Sequence, residues 1–279
     1  MTEPESETAT SGPIESTRPE PDGRIVVERT DACVTVTIDR AHKRNALSTH
    51  LQNELADALD RLADDESIGV LVITAVGDRS FVAGGDLTAL RAVRTFDDAR
   101  AMALHARSVL DRIRRFPAPV VAALNSDALG GGAELAMACD FRIAAAGARM
   151  AFVQGRHAIS TAWGGGADLI QLVGHSRAMR LLTTCAFVDH DAGLAIGLYD
   201  RCGGGDEPLS TTVEEFVKPM LQQPPSVLRT YKAMTVAARM TPARAAVEAT
   251  ELERFVEGWV HEDHWAALDA YLNRGGRTQ

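Results

Sequence analysis

Residues 119–140 constrain the fold of this 279-residue chain more than any other stretch. They read PVVAALNSDALGGGAELAMACD: an apolar run, Val120–Leu124, then a polar turn, three glycines and small apolar residues around Glu134. An apolar run bounded by turn residues predicts a buried strand, and the residues after the glycines predict a helix. Because the first N–H groups of a helix are unpaired, this pattern can hold an anion beside one carboxylate.

The three glycines are open to other interpretations. They do not form G-x-G-x-x-G, so a dinucleotide site is poorly supported, and no Lys-Ser or Lys-Thr follows them, which rules out a phosphate-binding P-loop. A tight strand-to-helix turn with Glu134 as a solvated first-turn residue remains an equal alternative, since the helix dipole favours a carboxylate there. The residues of this segment alone leave both open.

The overall composition narrows the function classes. Hydrophobic residues make up 46% and charged residues 24% of the chain, as in an ordinary globular protein. A net charge of -9 argues against nucleic acid or an anionic membrane as partner, and no run of residues is long and apolar enough to span a membrane. Four scattered cysteines without a C-x-x-C pair predict buried free thiols and a cytoplasmic location.

Strand and helix patterns alternate through the first two thirds of the chain, and helical patterns dominate the rest. We predict a disordered acidic tail over residues 1–22, which hold six acids and one base, then an α/β core over residues 23–205 and a helical region over 206–279. Specific elements include a hairpin before a basic loop, a helix capped by Ser48, and a helix Phe96–Arg115. Pro224-Pro225 and Pro242 separate the later helices.

A second glycine turn, SFVAGGDL at residues 80–87, also follows a predicted strand. Two such turns can aim two backbone N–H groups at one point, which is what a thioester oxygen needs when it becomes an enolate. Together with DRAHKRNALS at residues 39–48 and GGGAELAMACD at residues 130–140, this block resembles the signature blocks of the crotonase superfamily, in the family's order and spacing.

The resemblance extends from about residue 24 to the C-terminus and carries several implications. It implies a spiral of ββα units, a helical C-terminal region that forms a homotrimer or a dimer of trimers, and an acyl-CoA substrate without any cofactor or metal. It places the oxyanion-hole amides at Gly85 and Gly131 and the acid/base carboxylate at Glu134. The CoA- and substrate-binding positions that it implies are Lys43, Arg44, Ala46, Ala83, Asp86, Leu87, Gly130 and Trp163.

The chain departs from the family at the second glutamate of the hydratases. Aligned on Phe152 and Gly164, that position holds Arg156, which cannot act as a base. Ordinary hydratase chemistry, which uses two carboxylates, is therefore not expected. A guanidinium at the acyl end would suit an anionic acyl group, and His157 could donate a proton near neutral pH; alternatively, both side chains face solvent.

The Trp163-Gly-Gly stretch is similar to the ethylmalonyl/methylmalonyl-CoA decarboxylase branch of the family. Decarboxylation of a malonyl-type thioester needs an oxyanion hole and a proton source but no hydrolytic water, so it suits a site with one glutamate. The alternatives are a hydratase or isomerase that uses Glu134 alone, and an acyl-CoA-binding oligomer without catalysis.

Overall fold

The structure is a computed structural model that describes residues 23–275, so the predicted acidic tail over residues 1–22 lies outside the described part of the chain. In chain order the elements are β1 (Arg24–Thr30), β2 (Cys33–Asp39), α1 (Thr49–Ala63), β3 (Val70–Ala75), α2 (Leu87–Leu90), α3 (Phe96–Arg115), β4 (Val120–Leu124), β5 (Ala128–Leu129), α4 (Gly131–Ala138), β6 (Phe141–Ala144), β7 (Met150–Ala151), α5 (Gly165–Val173), α6 (His175–Thr184), α7 (His190–Ala195), β8 (Arg201–Cys202), α8 (Leu209–Leu221), α9 (Pro225–Arg239), α10 (Pro242–Val260) and α11 (Glu262–Gly275). Two 3₁₀ turns, Ala41–Lys43 and Val153–His157, lie between them.

The main sheet has six strands in the order β1-β2-β3-β4-β6-β8. Strand β1 pairs antiparallel with β2 in the predicted hairpin, and every other neighbouring pair is parallel. Strands β5 and β7 form a separate parallel pair. Sequence reasoning missed β5, because a two-residue strand is too short to show a periodicity.

Both faces of the central strands are covered, which explains why β3 and β4 read as continuous apolar runs. Leu71 and Ile73 point to the face that packs with α1 and α3. Val70 and Val72 point to the other face, where Val213 and Val217 of α8 cover them. The second face is therefore built across the boundary that we predicted at residues 205/206.

The two predicted glycine turns lie side by side. The amide of Leu129, just before the glycine triplet, donates to the Val82 carbonyl at 3.0 Å. A Cβ atom at Gly132 would lie 1.9 Å from that same carbonyl oxygen, so only glycine allows this approach. The carboxyl ends of β3 and β4 consequently deliver both glycine segments to one place.

The C-terminal helices begin where the prolines predict, at Pro225 and Pro242. Helix α10 packs against α3 and α5, and α11 packs against the 3₁₀ turn Val153–His157. The last third of the chain therefore covers the region of the glycine turns, while its role in forming a trimer stays a prediction. Of the four cysteines, Cys139 and Cys185 are buried as free thiols, whereas Cys33 and Cys202 are half-buried.

A buried cluster of charges ties four helices together around Asp168 of α5. Its carboxylate pairs with Arg114 of α3 at 2.9 Å, with Arg239 of α9 at 2.8 Å and with Arg244 of α10 at 2.5 Å. Burial alone would raise the pKa of Asp168, but the three guanidinium groups hold it at about 2. The carboxylate therefore stays ionised in the folded protein.

Replacing Asp168 by Asn is expected to destabilise the fold by about 3–5 kcal/mol, because it leaves buried guanidinium groups without their counter-charge. Urea unfolding at neutral pH measures the change. The matched control is Asp60→Asn, which removes an exposed partner of Arg112 and should cost at most about 1 kcal/mol. Equal effects of the two substitutions would contradict the assignment of Asp168 as the centre of the cluster.

The same carboxylate predicts an acid limit to stability. An unfolded Asp has a pKa of about 3.9, so the contribution of Asp168 is complete above that pH. It is lost as the pH falls through about 2, the value in the folded protein. Between about pH 4 and about pH 2, the free energy of unfolding of Asp168→Asn should therefore fall less steeply with pH than that of the wild-type protein.

Candidate active site

The two glycine segments form one wall of an apolar cavity of about 80 Å³, which we call the inner pocket. Trp163 and, from α10, Phe255 and Trp259 contribute aromatic rings to its lining. The pocket is lined by Ala83, Gly84, Gly85, Leu87, Leu90, Met102, Gly130, Gly131, Glu134, Val153, Gln154, His157, Ile159, Ser160, Ala162, Trp163, Phe255 and Trp259.

The amides of Gly85 and Gly131, the predicted oxyanion-hole donors, belong to residues that both line this pocket. Within residues 23–275 neither amide donates a hydrogen bond to a protein acceptor. A Cβ atom at Gly131 would lie 2.3 Å from Cζ3 of Trp163, so the indole ring packs directly against this glycine. Their role as oxyanion donors stays a prediction, and the geometry is compatible with it.

Glu134 lies in the first turn of α4 and is 2% exposed, unlike the solvated residue of the alternative interpretation. One carboxylate oxygen, Oε2, accepts from the amides of Trp163 and Gly165 at 2.8 and 2.9 Å. The other, Oε1, accepts from the side-chain amide of Gln154 at 2.9 Å. Burial first, and then the charge of Glu251, raise the pKa of Glu134 to about 7, although the backbone amides oppose the shift. Near neutral pH this group is therefore divided between its acid and base forms.

The side chain beside Glu134 is Gln154, and not Arg156 as the alignment on Phe152 suggested. Residues 153–157 form a 3₁₀ turn, in which side chains three positions apart share a face. Gln154 and His157, three positions apart, both line the inner pocket. Arg156 instead lines a larger neighbouring cavity, which we call the outer cavity, and donates to the Cys185 carbonyl at 3.1 Å. The predicted role of Arg156 at the acyl end stays a prediction, and its side chain lies outside the inner pocket.

His157 lies where the two cavities meet, since it lines both. Its Nδ1 is buried and has no hydrogen-bond partner among the described residues. Burial, His264 and Arg156 lower its pKa, so the neutral imidazole prevails at neutral pH. Proton donation by His157 stays a prediction. Because the pKa of Glu134 is raised while that of His157 is lowered, Glu134 is the better proton donor at neutral pH.

The outer cavity, about 680 Å³, shares Ala83, Gly85, Leu87, Val153 and His157 with the inner pocket. Among the described residues, three cationic side chains line it: Lys43, Arg44 and Arg156. Of the predicted substrate positions, Gly130 and Trp163 line the inner pocket, and Lys43, Arg44, Ala46, Ala83, Asp86 and Leu87 line the outer cavity. The Asp86 carboxylate caps α2 and pairs with Arg40 at 2.8 Å, so it shapes the wall.

The comparisons with known proteins agree with this architecture. The family model described as enoyl-CoA hydratase/isomerase matches residues 28–277. The chain belongs to the enoyl-CoA hydratase/isomerase family. The predicted membership of the crotonase superfamily and the predicted α/β crotonase-like fold with C-terminal helices are thereby confirmed.

Relatives within the family carry different activities in their names. The chain is 29% identical over 250 residues to a short-chain-enoyl-CoA hydratase of Clostridium acetobutylicum, covering 90% of this chain and 95% of the relative. It is 33% identical over 222 residues to an ethylmalonyl-CoA decarboxylase of Danio rerio, covering 78% and 72%. A solved enoyl-CoA hydratase/isomerase from Xanthobacter autotrophicus shares the fold, with a TM-score of 0.82 at 22% identity over 90% of this chain and 94% of that one.

Two predicted absences concern membrane spans and bound metal ions. Across residues 23–275, none of the helices combines the length and the apolar character that a membrane crossing requires. In the same part of the chain, no cluster of three or more His, Cys, Asp or Glu side chains is arranged to hold a metal ion.

The position of Arg156 can be tested by kinetics. Because Arg156 lines only the outer cavity, Arg156→Ala is expected to raise KM for an acyl-CoA several-fold and to leave kcat nearly unchanged, the pattern of lost uniform binding. The control is Arg180→Ala, an exposed arginine on α6 that lines neither cavity. A large fall in kcat without a change in KM would instead place Arg156 at the reacting end.

Proposed function

We propose that this protein is an acyl-CoA enzyme that decarboxylates a malonyl-type CoA thioester through an enolate. One observation carries the proposal: within the described residues, Glu134 is the one carboxylate that lines the inner pocket, and its neighbour there is the amide of Gln154. A hydratase that holds its water between two carboxylates would need a second acid at this position. Loss of carbon dioxide needs no such water.

The proposed reaction uses groups that the inner pocket offers. The bond between the α-carbon and the substrate carboxylate breaks, carbon dioxide leaves, and the electron pair passes to the thioester oxygen as an enolate. The amides of Gly85 and Gly131 would stabilise that oxygen. Glu134, with its pKa raised to about 7, then gives its proton to the α-carbon and regains one from solvent.

The apolar walls favour the same reaction. Trp163, Phe255 and Trp259 are buried and line the pocket. A substrate carboxylate placed against them loses its hydration, and its charge is dispersed when it departs as carbon dioxide. No cationic side chain of the described residues lines the inner pocket, so the carboxylate would not be stabilised there by an ion pair.

The outer cavity suits the CoA part of the substrate. Lys43, Arg44 and Arg156 concentrate positive charge there on a protein whose net charge is -9. Such groups bind phosphates by charge-assisted hydrogen bonds. The names of the two relatives reported above, a short-chain-enoyl-CoA hydratase and an ethylmalonyl-CoA decarboxylase, support the same class of substrate.

Hydration of an enoyl-CoA is the second candidate. It is favoured by the hydratases among the relatives, including a crotonyl-CoA hydratase of Syntrophomonas wolfei that is 31% identical over 250 residues. Glu134 would then act with water alone, beside Gln154.

Incubation with ethylmalonyl-CoA, methylmalonyl-CoA and crotonyl-CoA, followed by mass spectrometry, separates these candidates. We expect the first two to lose carbon dioxide and crotonyl-CoA to gain water slowly or not at all. Rapid hydration of crotonyl-CoA with intact malonyl-type esters would replace the proposal by the second candidate. Binding without any change of mass would indicate a protein that holds acyl-CoA without catalysis.

A further inference from the structure

Residues 161–166, which we call the loop, carry Trp163 into the inner pocket and end in Gly165 and Gly166, the first two residues of α5. Two arginine side chains of α3 donate hydrogen bonds to its carbonyl groups. Arg107 of α3 donates to the Ala162 carbonyl at 2.8 Å, and Arg114 of α3 donates to the Trp163 carbonyl at 2.8 Å. This anchoring fixes the loop more tightly than solvent-exposed hydrogen bonds would.

The amides of the same loop alternate between two carboxylates. Those of Trp163 and Gly165 donate to Glu134. Those of Gly164 and Gly166 donate to Glu251 at 3.0 and 3.1 Å. The two carboxylates therefore approach the loop backbone from different sides, with a single segment of chain between them.

Glu251 itself is buried, at 8% exposure, and lines neither cavity. Its remaining partners are the guanidinium of Arg107 at 3.1 Å and the hydroxyl of Thr161. It lies on the stripe of α10 that also bears Phe255 and Trp259, four and eight residues later, which line the inner pocket. Glu251 thus cannot touch a substrate, yet it contacts the element that shapes the pocket.

We propose that Glu251 is a positioning residue for the reaction at Glu134: it fixes the loop that places Trp163 against Gly131, and it sets a second carboxylate across the loop backbone from that of Glu134. The proposal rests on the proposed function in one respect, because the proton on Glu134 is the one that the enolate would receive. The loop geometry and the charge interaction do not depend on which substrate is used.

The charges around the pair support this assignment. After burial, the charge of Glu251 is the next largest cause of the raised pKa of Glu134. Burial raises the pKa of Glu251, and the hydroxyl of Thr161 and the guanidinium groups of Arg107 and Arg114 oppose that rise without cancelling it. Gln154 is the remaining side chain hydrogen-bonded to Glu134, and it carries no charge. Among the described residues that line the inner pocket there is no other carboxylate, so the negative charge that acts on Glu134 comes from Glu251, outside the pocket.

The test is the titration of Glu134 in the full-length protein without ligand, read by the infrared band of a protonated carboxyl group and assigned by its absence in Glu134→Gln. In Glu251→Gln we expect the midpoint of this band to move to lower pH. The matched control is Glu248→Gln, which removes a charge one turn earlier on α10, where the partner is Arg244 rather than the loop. In the control the midpoint should stay at the wild-type value.

A kinetic measurement accompanies the titration. A midpoint lowered by about one pH unit would cut the protonated fraction of Glu134 at pH 8 roughly ten-fold, and the decarboxylation rate should fall with it. In Glu251→Asp, which keeps the charge, the midpoint should return toward the wild-type value. An unchanged midpoint in a folded Glu251→Gln protein would overturn the proposal.

The variant Glu134→Gln allows the same coupling to be measured even if Glu251→Gln does not fold. Coupling between two titrating groups is reciprocal, so Glu134→Gln should lower the midpoint of Glu251 by the same amount. The same infrared experiment measures it, and an unshifted Glu251 would also overturn the proposal. If the midpoints shift as expected while no malonyl-type ester reacts, the inference stands and the proposed function fails.

Discussion

Glu134→Gln is expected to lower kcat for decarboxylation by about 10²–10⁴-fold, because the amide has no proton to give to the enolate carbon. The variant should fold, since its oxygen can still accept from Trp163 and Gly165. Gln154 can turn its own side-chain amide to accept from the new one, because its oxygen is buried without a partner among the described residues. Stopped assays of carbon dioxide release measure the change.

The control for Glu134→Gln is Glu253→Gln, an exposed glutamate of α10 that lines neither cavity and should keep the wild-type rate. The pH profile adds a second check. If the acid form of Glu134 is the active one, kcat/KM should fall as the pH rises through about 7. A folded Glu134→Gln protein with the full rate would remove this residue from the mechanism.

Gly131→Ala is expected to lower kcat by about 10²–10³-fold, the usual cost of losing one oxyanion donor. The new methyl group would lie 2.3 Å from the Trp163 ring. Either the indole leaves its place or the amide of residue 131 turns away, and both disturb the point where the enolate oxygen would bind. Circular dichroism verifies that the variant is folded.

Two further variants test the reason for that loss. At Gly85 a methyl group would meet the flexible end of Leu90 at 3.1 Å, so Gly85→Ala should cost far less than Gly131→Ala. Adding Trp163→Ala to Gly131→Ala removes the clash and should recover part of the rate, so the two changes will not be additive. Full activity of Gly131→Ala alone would contradict the oxyanion assignment.

Much of the fold was accessible from the sequence, because local signals defined its elements. Ser48 accepts a hydrogen bond from the Leu51 amide at the start of α1, as a capping serine predicts. Pro225 and Pro242 stand in the first turns of α9 and α10. The apolar runs of β3 and β4 correspond to strands that are covered on both faces. These features depend on neighbouring residues alone.

The candidate site could be predicted only in part from the sequence. The side chains around Glu134 come from the 3₁₀ turn and from α10, and their positions depend on the folded backbone. Alignment by spacing put Arg156 at the position of the second glutamate, whereas in the folded chain the side chain of Gln154 contacts Glu134. Nothing near Glu134 in the sequence points to Glu251, Phe255 or Trp259, which α10 brings to the site from the end of the chain. The sequence indicates that these residues lie on a helix, but it does not indicate which part of the protein that helix packs against.

The most direct test of the central claim is the reaction of ethylmalonyl-CoA with the wild-type protein in deuterium oxide. If Glu134 protonates an enolate formed by loss of carbon dioxide, butyryl-CoA should appear in step with carbon dioxide. It should carry one deuterium at the α-carbon in a single configuration, as expected for a proton delivered by one fixed side chain. Intact ethylmalonyl-CoA, alongside rapid hydration of crotonyl-CoA, would contradict the account.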